Sequence, residues 1–570
     1  MKSLSHLWVG LVLLPPALYF IFFSIYAINL PIGDDLIVIL RFLIEWDWAG
    51  TATRKWHLLS QNFIEHRLVF TRLSALLTRW LSGELNFRLV MLVGNLCLVG
   101  ILWLFSRPIV RTRTDWWYVL PVSLLLFQPI AYEGNFWAIA STNYMPVCFF
   151  GFLTFFLVGR QRLVWDGAAA VAATAATLTF ANGLLIWPLG GLVLLLQRRF
   201  RSLVGWSVLT VLAFYLYYVG FDYVNRPDMV HKLVHLFPDV MANLLLLFGA
   251  FANPVDKSHV LNPADALPMA LGTLLFGWIL YGLFVLIRQT PLLNGRRPVG
   301  TENPQRTYFL LGSGLFLLLS CCAFAAGRTF DNVVVSESRY RNFPVFLLVV
   351  GYAMALTVAG STWRPVVGRV AVVGALLFWL SSYVVYTPKL ASMQRHRKAG
   401  VYNWIHNRSW AIYGDGGYFN RASMHLSNWT EQYAADWYKF PSYLTIPAAS
   451  TQTKLCESRA VSATLNVTPG LDVLHVDYPE CGSIGGEPYG MLQSGQAVWL
   501  FGIAKKTSLR RLLTEGEFET RHLTGDLILN TKSVVDLPAG NYRVGIALLK
   551  NDSLVAGTLV PNFTMQVASR

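Results

Sequence analysis

The sequence predicts a mainly α-helical, polytopic membrane bundle followed by a smaller, β-rich extracytoplasmic domain. Three observations point that way. Of 570 residues, 54% are hydrophobic and only 14% charged, with a mean hydropathy of +0.46, a balance foreign to soluble domains. Apolar runs of about 20 residues, the length a helix needs to cross hydrocarbon, recur as far as Pro388. Beyond that point the composition is mixed and short strand-like runs take over.

The first run, residues 7 to 30, follows a single Lys2 and contains Pro15-Pro16; it is long for a cleaved leader and reads as a retained span. Further spans are expected at 89 to 106, 116 to 132, 138 to 159, 166 to 181, 183 to 197, 203 to 221, 267 to 287, 307 to 326, 342 to 360 and 369 to 387, about eleven in all. The stretch 236 to 251 does not fit the parity of the count and reads as a re-entrant or interfacial helix. An odd count puts the termini on opposite sides. Short loops carry Arg107, Arg111 and Arg113, then Arg160 and Arg162, Arg198, Arg199 and Arg201, Arg288 to Arg306, and Arg364 and Arg369. These share one side, which the positive-inside rule makes cytoplasmic.

This expectation describes a multi-pass protein of a bacterial inner membrane with a cytoplasmic N-terminus and a periplasmic C-terminal domain. It also accounts for the net charge of +15 without a nucleic-acid partner. The outer side receives the long loop 31–88, a short loop at Glu133, the segment 222–266, the loop 327–341 between the ninth and tenth spans, and the tail 388–570. In loop 31–88, Trp46, Trp48 and Trp56 suit interfacial helices in contact with membrane lipid. The tail divides into an aromatic, helical part, 391–440, and a β-rich part, 441–570, whose runs at 461 to 467, 471 to 476, 498 to 503, 542 to 549 and 563 to 567 suggest a small sandwich.

Four cysteines (Cys97, Cys148, Cys321, Cys322) lie in or beside spans and read as small core residues. Cys456 and Cys481, the two in the tail, can close a loop in an oxidising compartment.

The candidate chemistry lies on the outer side. Pro31-Ile32-Gly33-Asp34-Asp35 places two carboxylates at a membrane boundary, where an apolar wall can raise a carboxylate pKa and let it accept a proton from a hydroxyl; a solvated loop or helix cap is the plainer reading. Glu65 and His66, with Arg72 two helical turns on, form either a polar stripe facing a cavity or a hydrated face. Glu133 sits among Tyr132, Phe136 and Trp137, rings that can stack on a sugar or form an interfacial belt. Arg328, Arg339 and Arg341 crowd one outer loop against the charge rule; lipid headgroups or a lipid-linked phosphate leaving group would offset them. Apart from their ends, the expected spans hold no Asp, Glu, Lys, Arg or His, which argues against an ion-coupled transporter.

This organisation resembles the GT-C superfamily of polytopic glycosyltransferases, which use polyprenyl-phosphate-linked sugars. The acid pair opening a long first outer loop, Glu133, the late outer arginines and the outer C-terminal domain carry the resemblance. It implies that an Asp of the pair is the catalytic base, Asp34 being favoured, with Asp35 binding the acceptor or a cation, which leaves a divalent cation as an open cofactor. Glu133 would orient the acceptor, and Arg328, Arg339 and Arg341 would neutralise the donor phosphate. The acceptor would be an envelope glycan, lipid or surface protein such as pilin. The tail lacks the WWD-type signature of oligosaccharyltransferases, Asn428-Trp429-Thr430 being different, so transfer of one sugar is expected. An O-antigen polymerase or ligase, a lipid-linked sugar flippase and an envelope-assembly scaffold are the alternatives.

Overall fold

The computed structural model describes residues 2–222, 234–253, 263–294, 304–330, 335, 337–360, 362–410, 416–446, 462–468, 471–479, 487–502, 504–507, 519–529 and 537–567. The chain forms two compact units, one of Met1–Ala27, Glu45–Leu81 and Arg88–Tyr383, the other of Ile28–Ile44, Ser82–Phe87 and Val384–Arg570.

In the first unit, helices long and apolar enough to cross a membrane cover His6–Tyr26, Phe87–Ile109, Ala138–Val158, Phe200–Tyr218, Ala266–Arg288, Pro304–Phe330 and Ser338–Val358, and Arg364–Asn407 begins there, making eight among the described residues. The protein is a multi-pass membrane protein on this ground. Three of the apolar stretches differ from expectation. The span expected at 116 to 132 is broken: a 3-10 turn, Arg113–Val119, leads into the helix Leu120–Leu126, and a second 3-10 turn, Pro129–Ala131, follows. Pro129 has no N–H to donate and disfavours helical backbone at Gln128; the Gln128 side chain accepts the Ile130 N–H instead, at 2.7 Å. The expected spans 166 to 181 and 183 to 197 are the shorter helices Leu163–Thr177 and Ala181–Leu196.

The stretch read as re-entrant or interfacial forms a helix Phe237–Gly249 with one 3-10 turn after it. At 1.5 Å per residue its 13 helical residues extend about 20 Å, short of a hydrocarbon core of about 30 Å. It packs backbone to backbone on helix Ala266–Arg288. A Cβ on Gly249 would lie 1.7 Å from the Pro268 carbonyl oxygen, and one on Gly272 1.9 Å from that of Leu245. Without a hydrophobic driving force between helices in lipid, small residues of this kind permit the close contact that holds them together.

In the second unit the helix Arg364–Asn407 runs unbroken through Pro388, well past the expected end of the last span, and a second helix, Gly416–Tyr433, follows. Eight strands then form two four-stranded antiparallel sheets: β1 (Ser462–Thr468), β2 (Leu471–Pro479), β3 (Glu487–Ser494), β4 (Ala497–Gly502), β5 (Ala504–Thr507), β6 (Glu519–Leu529), β7 (Gly540–Lys550) and β8 (Ser553–Val567), ordered β1-β2-β6-β5 and β4-β3-β7-β8. Tyr489, Met491, Val498, Leu500, Ala547 and Leu549 of the second sheet bury against Ala399 and Tyr402 of the long helix. The edge of β4 is covered by the same helix. The Asn403 amide donates to the Leu500 carbonyl and accepts its N–H, both at 2.8 Å, and Asn407 donates to Val498 at 2.7 Å. Side-chain amides thus satisfy backbone groups that an exposed edge would offer to another chain.

Candidate substrate site

Two of the candidate clusters come together inside the first unit. Glu133 lies on a single helical turn, Tyr132–Asn135, and the arginine-bearing segment forms a 3-10 turn, Ser338–Tyr340. Ser338 joins them: its hydroxyl accepts the Glu133 N–H at 3.0 Å and donates to the Glu133 carboxylate at 3.1 Å. Arg339 pairs with Glu337 and sits over the Trp137 and Tyr340 rings at 5.9 and 5.2 Å, while Arg328 also lies over the Tyr340 ring, at 5.3 Å. The two turns approach closely because residue 134 is glycine. A Cβ there would lie 3.0 Å from the Arg339 carbonyl oxygen and 3.3 Å from the Asn342 amide nitrogen.

The three arginines are not equivalent. Arg328 and Arg339 are partly exposed, whereas Arg341 is fully buried at the start of helix Asn342–Val358. Beneath the cluster runs a chain of buried polar side chains. Asn342 donates to the Asn135 side-chain oxygen at 2.9 Å, Asn135 donates to the Tyr19 hydroxyl at 2.9 Å, and Tyr19 donates to Asn95 at 2.6 Å; Asn95 in turn donates to the Asn135 carbonyl at 2.9 Å. It fixes both turns to helices Lys2–Tyr26 and Phe87–Ile109. Sequence reasoning passed over Asn95, Asn342 and Ser338 because a survey of charged residues in apolar spans does not register amides and hydroxyls.

His66 lies in the same unit. Its ring stacks on Phe180 with centroids 3.8 Å apart, Phe180 meets Tyr144 at 5.4 Å, and Tyr144 meets Tyr340 at 5.9 Å. An aromatic path therefore links His66 to the arginine turn. Glu65 and Arg72 do not share a helix, contrary to the polar stripe considered from the sequence. Glu65 lies in a tight turn closed by the Phe63–His66 backbone pair, with its carbonyl accepting the Tyr217 hydroxyl at 3.0 Å, and helix starts only at Val69. Ile64 in that turn has φ of 53°, a left-handed backbone costly for a β-branched residue. Arg72 donates to the Leu59 carbonyl at 3.0 Å, and burial pushes its guanidinium down to about 10 against an opposing pull from Glu45. Arg67 donates to the Tyr217 carbonyl at 2.7 Å. Both arginines hold backbone in place.

Asp34 and Asp35 belong to the second unit. They follow Gly33 and lead into a π-helical turn, Leu36–Arg41, a form often found at functional sites. Asp35 is fully buried, and its carboxylate accepts the Ile32 N–H at 3.0 Å; Asp34 is partly exposed, and its carbonyl accepts the N–H groups of Ile37 and Val38 at 3.0 and 2.8 Å. The preceding chain is tied to the tail's aromatic stretch. Tyr443 accepts the Asn29 N–H at 2.9 Å, and Tyr438 donates to the Asn29 carbonyl at 3.4 Å. Burial pushes the Tyr438 phenol far up, with Tyr443 and Asp35 adding to the effect.

Cys456 and Cys481 lie outside the described residues. No group of three or more His, Cys, Asp or Glu suited to a metal occurs among the described residues. No family model, curated protein or solved structure matches the chain.

Proposed function

We propose that this membrane protein is a glycosyltransferase that moves a monosaccharide from a polyprenyl-phosphate donor to a cell-envelope acceptor, a glycan, lipid or surface protein. The observation that carries the reading is the meeting of Glu133 and Trp137 with the Arg339 turn, elements 205 residues apart joined through Ser338. Breaking a glycosyl–phosphate bond leaves negative charge on the phosphate, and preorganised guanidinium groups aimed at such charge lower the barrier. Arg328 and Arg339, partly exposed and seated on aromatic rings, suit that role and bidentate phosphate contact. Arg341, being enclosed, supports the turn. Trp137 offers a face to a sugar.

In this reading Asp34 accepts the acceptor hydroxyl proton as that oxygen attacks the anomeric carbon, and the polyprenyl phosphate leaves. Asp35 shapes the turn that presents Asp34, through its bond to the Ile32 N–H. The roles of Asp34 and Asp35 rest on the GT-C resemblance and on their difference in exposure.

The test is transfer of radiolabelled sugar from a panel of polyprenyl-phosphate monosaccharides to envelope material, with the intact protein and Asp34→Asn. Transfer from one donor that is lost in the folded variant is the expected result. Absence of transfer from every donor would shift the reading to a polymerase, flippase or scaffold.

A further inference from the structure

At the far end of the same helix pair lies a second feature that the proposed reaction does not use. Helices Ala138–Val158 and Pro304–Phe330 each reach the Glu133–Arg339 cluster at one end, through Trp137 and Arg328. Their 21 and 27 residues extend about 30 and 40 Å, so their other ends lie about a bilayer thickness away. There a groove of about 470 Å³ opens between the turn after the first helix and the start of the second, lined by Arg160, Arg162, Trp165, Pro304 and Gln305 among others.

The groove is cationic, with the Trp165 ring in its wall. The Arg160 guanidinium lies over the Trp165 ring at 4.2 Å and over Phe156 at 5.2 Å, which holds it in place without neutralising it. Among the described residues, no carboxylate pairs with Arg160 or Arg162. Nearby Arg199, in contrast, forms a two-pronged pair with Asp166. Directly after Arg162 come Leu163 and Val164, 77% and 73% exposed, at the head of the apolar helix Leu163–Thr177. Two guanidinium groups with no carboxylate partner among the described residues, beside an exposed aliphatic pair, match one kind of ligand: a phosphate with hydrocarbon attached.

We propose that this groove binds the phosphate headgroup of an anionic phospholipid, with the acyl chains lying along Leu163 and Val164. A free phosphate satisfies the arginines but makes no use of the exposed aliphatic pair, which favours the lipid. The site is independent of the glycosyltransferase reading.

The test uses the full-length chain purified in mild detergent, with native mass spectrometry counting retained phosphatidylglycerol against phosphatidylcholine. The expected result is a preference for phosphatidylglycerol that falls about fivefold with Arg162→Gln and further with Arg160→Gln added, following the attraction a basic residue gains near an anionic surface. Arg107→Gln, an exposed arginine outside the groove, leaves the preference intact. The exposed Arg162 side chain makes the single variant safe for folding, and melting curves confirm it. Retention of the full preference in the double variant, or an equal loss in Arg107→Gln, would overturn the site. Displacement of phosphatidylglycerol by millimolar inorganic phosphate would overturn its assignment to a lipid.

Discussion

The Glu133–Arg339 cluster and the Asp34–Asp35 turn are built in opposite ways. The cluster joins elements 205 residues apart, mainly through side chains: Ser338 to Glu133, Arg339 over Trp137, Asn342 to Asn135. The acid turn is shaped by short-range bonds: the Asp35 carboxylate accepts the Ile32 N–H, and the Asp34 carbonyl accepts those of Ile37 and Val38. A local turn fixes one side chain by its own backbone, so its two acids divide cleanly into a buried one and a partly exposed one. A cluster assembled from distant turns depends on every member, and its polar foundation rests on helices long and apolar enough to cross a membrane, where each unmet group is costly.

That contrast predicts a ranking of effects. The largest belongs to Asp34→Asn, expected to reduce sugar transfer by about 10²–10⁴ in kcat, the range for loss of a general base, with the unfolding midpoint unchanged. A midpoint shift with full activity would mean that Asp34 is part of the turn's structure and nothing more. Arg339→Gln follows, with a loss of about 10²–10³ in kcat/KM for a polyprenyl-phosphate donor; Arg339→Lys restores part of it, since the charge returns without the fork. Equal activity of all three would detach the arginine turn from the reaction.

Stability changes come next. Asp35→Ala leaves the buried Ile32 N–H without its acceptor and is expected to cost about 1–3 kcal/mol, read as faster limited proteolysis at the 28–44 segment. Asn135→Ala removes a shared member of the polar chain. Side-chain hydrogen bonds in membranes are worth about 0.6 kcal/mol on average and about 1.7 at most, so its effect on the detergent-unfolding midpoint is the smallest. If Asn135→Ala were to lower kcat/KM for the donor by as much as Arg339→Gln with the same midpoint, the distinction between support and site would fail.

Much of the membrane unit is legible because hydrocarbon imposes a length and a composition, and spans such as 138 to 159 and 267 to 287 coincide closely with helices Ala138–Val158 and Ala266–Arg288. The stretch 116 to 132 misled because hydropathy averages over Gln128-Pro129, although one proline suffices to end a helix. In the tail, β1, β2, β4, β7 and the end of β8 coincide with strand-like runs in the sequence, whereas β6 carries Glu519, Arg521, His522 and Asp526 and does not stand out as one. Glu133, Trp137 and Arg339 stood out as charges or rings in the wrong place for a membrane loop. Their mutual contact did not, since no local rule connects residue 133 with residue 338. The supposed Glu65–Arg72 stripe failed because it assumed a helix where the chain makes a turn around Ile64.

The most direct measurement of the central claim is photocrosslinking with a polyprenyl-phosphate sugar bearing a photoreactive group beside the phosphate, followed by mass-spectrometric mapping on the intact protein. Label on residues 133–137 and around Arg328 and Arg339, competed by unlabelled donor and lost in Arg339→Gln, is the predicted result. Competable label confined to other segments, with none at these turns, would contradict it.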